Sequence, residues 1–85
     1  SQLPDFLPHL AEGQKTASKI MRRSSVECLA MVLNKLPAEI FSNNHIVIIE
    51  TMLRAGLVDA DADSRTETRK SYEAYAKLFE QRVPA

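Results

Sequence analysis

The chain has 85 residues, and its eleven basic and eleven acidic side chains cancel, so no global field favours nucleic acid or an acidic membrane surface. A single cysteine, Cys28, excludes an internal disulfide, and no apolar run approaches the roughly 20 residues that a bilayer span takes. The N-terminus also lacks the basic-then-apolar order of a signal peptide, so the composition predicts one small, soluble, intracellular domain, at a size where burial barely offsets chain entropy.

Leu3, Phe6, Leu7, Leu10 and Ala11 follow the spacing of a helical stripe, with Pro4 suited to the first turn. Pro8 removes one intrahelical hydrogen bond and predicts a short or bent helix, which Gly13 is expected to end. Thr16 or Ser18 caps a second helix that runs to about Leu36, because Pro37 disfavours helical geometry at the residue before it. Its inward stripe is read as Met21, Ser25, Cys28, Leu29, Val32 and Leu36, widened by Ile20, Val26, Ala30 and Leu33. Ile40 and Phe41 then tuck back as a turn of helix, and Ser42, Asn43 or Asn44 caps a third helix carrying Ile46, Ile49 and Leu53. His45 to Ile49 has strand propensity, but no partner strand exists and the helical pattern continues through Ala55. Gly56 is expected to close this helix in the left-handed conformation, and the following Asp/Ser cluster to cap a last helix from Thr66 to Val83. There Thr68, Ser71, Tyr72, Tyr75, Leu78 and Phe79 share one face.

Shifting the chain by forty-seven lays Met21 to Ser24 over Thr68 to Ser71 and Met31-Val32 over Leu78-Phe79. Helix pairs repeated at roughly 40 to 47 residues belong to HEAT and armadillo arrays, in which a pair buries its apolar face only by stacking on neighbours. The fold class is therefore read as an all-α HEAT-repeat solenoid fragment, with one repeat over about 3–36 and a second over about 42–83. A free-standing four-helix bundle is the rival architecture. As a fragment, the chain is expected to expose Leu3 to Ala11 and to self-associate there.

Arg65, Arg69 and Lys70 stand in the first turns of the last helix, where the macrodipole mildly disfavours cations. They are either solvated charges offset by Asp61, Asp63 and Glu67 or part of a docking surface. If the second helices of the two repeats run side by side, Lys19, Arg22 and Arg23 join them in one cationic stripe suited to an acidic protein surface. No chemistry competes with this reading. Asp59, Asp61 and Asp63 alternate as in a calcium loop, but the sixth and twelfth positions are Ser64 and Lys70 instead of glycine and glutamate. His9 and His45 lack zinc spacing, two glycines make no phosphate loop, and no catalytic constellation is distinctive. Neither metal nor cofactor is expected.

Ser18 to Arg23, His45-Ile46 through Glu50-Thr51, Gly56 to Asp61, and Arg65 with Arg69-Lys70 resemble the last repeats of a TOG domain, in particular those of the CLASP family of microtubule-associated proteins. The resemblance spans about residues 18 to 80, and it departs from the family's usual bulky residues near Ser71 and Glu73. It implies a HEAT-repeat paddle whose intra-repeat turns contact αβ-tubulin, with no enzymatic activity. Carried over by position, Lys19, Arg22 and Arg23 belong to the penultimate turn and Arg65, Arg69 and Lys70 to the last. It also implies a cytoplasmic place on the microtubule cytoskeleton, at spindle or kinetochore, with no nucleic-acid or membrane partner. A HEAT-type scaffold that ignores tubulin is the alternative.

Overall fold

In a computed structural model that describes residues 3–80, the chain forms four α-helices: α1 (Leu3–Gln14), α2 (Lys19–Lys35), α3 (Asn43–Leu57) and α4 (Ala62–Phe79). A 3₁₀ turn, Ala38–Ile40, precedes α3, and no strand occurs among the described residues. The expected continuation of α4 to Val83, and the Leu3 side chain, lie outside them. No described helix is long and apolar enough to cross a membrane.

α2, α3 and α4 each begin on a side chain that satisfies a free backbone amide. The Ser18 hydroxyl accepts from the Met21 N–H, and the Asp61 carboxylate accepts from that of Ser64. At α3 the capping is reciprocal: the Ser42 hydroxyl accepts from the His45 N–H while His45 Nδ1 accepts from the Ser42 N–H, so an imidazole fills the role usually played by Glu or Gln. α2 ends as expected, with Leu36 extended ahead of Pro37. Pro8 does not shorten α1, because its ring lies on the exposed side and it forfeits only the bond back to the first turn.

Both glycines depart from their expected role as helix terminators. Neither has a positive φ, and each lies inside its helix, at Gly13 near the end of α1 and Gly56 near the end of α3. Their function is close approach. A Cβ on Gly13 would stand 2.3 Å from Ser25 Oγ on α2, and one on Gly56 would stand 2.1 Å from Thr68 Oγ1 on α4.

α1 folds back on α2 and α3 on α4, forming two helical hairpins that stack with α2 along α4 and α1 along α3, while α2 and α3 barely touch. An up-down-up-down bundle would instead place α2 against α3. The chain directions of α2 and α4 agree: Arg22 meets Asp59, Arg23 meets Asp61, and the Ser71 hydroxyl donates to the Val26 carbonyl. Leu7 and Leu10, Leu29 and Leu33, Phe41, Ile49, Met52 and Leu53, and Phe79 fill the core between the layers. Fully burying a side chain of this size contributes about 1.5–3 kcal/mol.

The buried face of α2 is Ser25, Val26, Leu29 and Leu33, rotated from the expected stripe so that Ile20 and Met21 are exposed and Cys28 is half-buried. On α4 the buried face is Ser64, Thr68, Ser71, Ala74 and Phe79, and Tyr72 is half exposed. Small residues let α4 lie close to its neighbours, and their hydroxyls are satisfied: Ser64 donates to Asp61, Thr68 to the Ser64 carbonyl at 2.7 Å, and Ser71 to Val26. At the far end Phe79 meets Phe41 edge-on at 5.7 Å, and the Tyr75 hydroxyl donates to Glu50.

Candidate protein-docking edge

The structural repeat differs from the forty-seven-residue register. α2 begins at Lys19 and α4 at Ala62, a shift of 43, and the same shift relates the caps Ser18 and Asp61 and the helix ends Gln14 and Leu57. It also lays Gly13 and Ser25 over Gly56 and Thr68, the two close approaches.

The shift further relates Arg22 to Arg65. Arg22 Nη1 donates to the carbonyls of Thr16 and Ala17, six and five residues back, and Arg65 Nη1 donates to those of Asp59 and Ala60, again six and five back. Each guanidinium thereby buckles the turn that precedes its own helix. The two differ on their other edge. Arg22 Nε and Nη2 hold the Asp59 carboxylate in a bidentate pair at 2.8 and 3.1 Å, tying the first hairpin to the second. That bond raises the Arg22 pKa and, assisted by the Asp61 N–H, holds the Asp59 carboxyl below the usual carboxylate range against the opposing effect of burial. Arg65 has no such partner among the described residues, and its side chain is half-buried.

The six candidate cations therefore divide. Arg22 is committed to Asp59, and Arg23 Nη2 bridges Asp61 at 3.4 Å and Asp63 at 3.2 Å. Asp61 titrates below the ordinary range mainly because the Ser64 hydroxyl bonds it, with Arg23 adding to the effect. Lys70 pairs with Glu67 at 2.8 Å, one turn earlier on an exposed face, and that bond raises its pKa. Among the described residues Arg69 donates to the Thr66 hydroxyl alone, and Lys19 is exposed. Two members of the expected stripe meet at Asp59, where Arg22 grips the carboxylate and Arg65 the carbonyl. The six are not six open charges: Arg22 and Arg23 are engaged by Asp59, Asp61 and Asp63, Arg65 is half-buried, and Lys19, Arg69 and Lys70 are exposed.

The acidic run has a matching structural use. Asp59 clamps Arg22, Asp61 caps α4, and Asp63 faces Arg23, in place of a calcium loop. Among the described residues no group of three His, Cys, Asp or Glu side chains is placed to hold a metal. The partnership of Arg22 with Asp59 was not foreseen in the sequence, although the signal exists: arginine recurs 43 residues apart, each six residues beyond a polar turn residue, Thr16 or Asp59. No family model matches the chain, and no solved structure does.

Proposed function

We propose that these two hairpins are HEAT-type repeats of a TOG-like module that binds αβ-tubulin through the edge where α2 and α4 begin, without bond chemistry. One observation supports the reading: α2 and α4 run in the same sense, so that Arg22 and Arg65 meet at Asp59, and Lys19, Arg69 and Lys70 are exposed on these same two helices. Charge so placed steers encounter with an acidic surface and fixes register more than it adds raw affinity. Arg22 and Arg23 act in this reading by positioning the border.

Co-sedimentation with microtubules tests it. The chain is expected to pellet at low ionic strength, to release as salt rises, and to stay in the supernatant when Arg65, Arg69 and Lys70 are all changed to Glu. Equal pelleting of the triple variant refutes the proposal. A second reading, an interaction scaffold that ignores tubulin, is favoured by the exposure of Phe6, Met21 and Met31 on the first hairpin. It predicts an association that survives high salt and is lost on Met21→Lys with Met31→Lys.

A further inference from the structure

The pairing of Arg22 with Asp59 is a template for what Arg65 lacks. Both arginines are held through Nη1 by two carbonyls at the same offsets, which fixes one side of each guanidinium. On Arg22 the Nε/Nη2 edge closes on a carboxylate from the next hairpin; for the same edge of Arg65 the described residues supply no carboxylate. A guanidinium already immobilised along one side loses little further side-chain freedom when a planar carboxylate docks on the other.

We propose that Arg65 is a preorganised bidentate receptor for one aspartate or glutamate side chain of a partner protein, and that this single contact sets the register of docking at the edge. The inference rests on the tubulin reading for the identity of the partner and on the internal template for the chemistry. A further stacked hairpin is the poorer occupant. The buried residues Val26, Leu29 and Leu33, through which α2 covers the core, map under the 43-residue shift to Arg69, Tyr72 and Ala76, all exposed. An incoming hairpin would find a polar surface where the existing pair has an apolar one, whereas an acidic partner finds Arg65 and Arg69 one turn apart.

The Nε–Hε signals of the arginines, followed by NMR while a hexaglutamate peptide is titrated into the intact chain, test the seat directly. The Arg65 signal is expected to move and its exchange with water to slow, with that of Arg22 unchanged because its edge is filled. Arg65→Lys keeps the charge and loses the fork, and should weaken peptide and tubulin binding about tenfold while the chain stays folded, as its far-ultraviolet circular dichroism reports. An Arg65 signal unmoved at saturation, or Arg65→Lys binding as tightly as wild type, overturns the proposal. If Arg65 takes the peptide in this way but the chain ignores tubulin, the carboxylate receptor stands and the tubulin assignment falls. If tubulin binds and Arg65→Lys changes nothing, the assignment stands and the receptor falls.

Discussion

The two hairpins are built to one plan and finished differently. In each, a glycine near the end of the first helix admits a hydroxyl from the second, and an arginine one turn into the second helix gathers the carbonyls of the connecting turn. The first hairpin spends the rest of its arginine on Asp59 and its buried α2 face on the core. The second places Arg69, Tyr72 and Ala76 at the corresponding positions and leaves them wet. A shared plan thus sets the shape, and the side chains at a few equivalent positions decide whether a surface is consumed in stacking or kept for a partner.

Substitution at the two glycines should break the equivalence most visibly. Gly56→Ala drives a methyl into Thr68, whose Oγ1, Cγ2 and Cβ would lie at 2.1, 2.8 and 2.9 Å and which is fully buried and branched, so it cannot turn aside. A loss of about 3 kcal/mol is expected by chemical denaturation. Gly13→Ala meets only the Ser25 hydroxyl, whose Cβ stays at an ordinary 3.6 Å, and the helix gains from alanine, so its stability should stay within about 1 kcal/mol of wild type. Thr68→Ala combined with Gly56→Ala should recover much of the loss if the clash is the cause.

Next in size is Asp59→Ala, which strands Arg22 and the Asp61 N–H together. The site lies between the exposed and buried limits for an ion pair, and about 2 kcal/mol is expected from urea unfolding. Acid should act in the same direction. The carboxyls of Asp59 and Asp61 are depressed in the folded chain, so their contribution is fully present above the ordinary carboxylate range. It should begin to fade as pH falls through about 4, where the unfolded chain takes up protons, and vanish only below the depressed folded values. Asp59→Asn should flatten that acid limb of the stability profile. Tyr75→Phe removes the bond to Glu50 while keeping the ring at 5.0 Å from Phe79, at an expected cost of about 1 kcal/mol.

The number and order of the helices were legible from capping side chains, Pro37 and apolar spacing, since these act within a few residues, although α4 begins at Ala62, four residues ahead of the expected Thr66. Rotation about the helix axis was not. Ile20 and Met21 were read into the apolar face of α2 with Leu29 and Leu33, and only the neighbours α1 and α4 determine which are covered. Gly56 before an Asp/Ser cluster carries the local signature of a helix stop, but its actual duty is to a threonine twelve residues on in another helix, which no local pattern reveals. The candidate edge was legible as a line of cations, yet the Asp59 partnership spans 37 residues and emerged only once the hairpins were laid together.

The division of labour between the equivalent arginines is tested most directly by the urea midpoints of Arg22→Gln and Arg65→Gln measured side by side. Arg22→Gln should lower the midpoint more, because it unfastens the second hairpin from the first as well as its own turn, and Arg65→Gln should lower it less, because it releases only the carbonyls of its own turn. Equal losses in the two variants would contradict the account, since Arg65 would then be stabilising the fold with the edge assigned here to a partner.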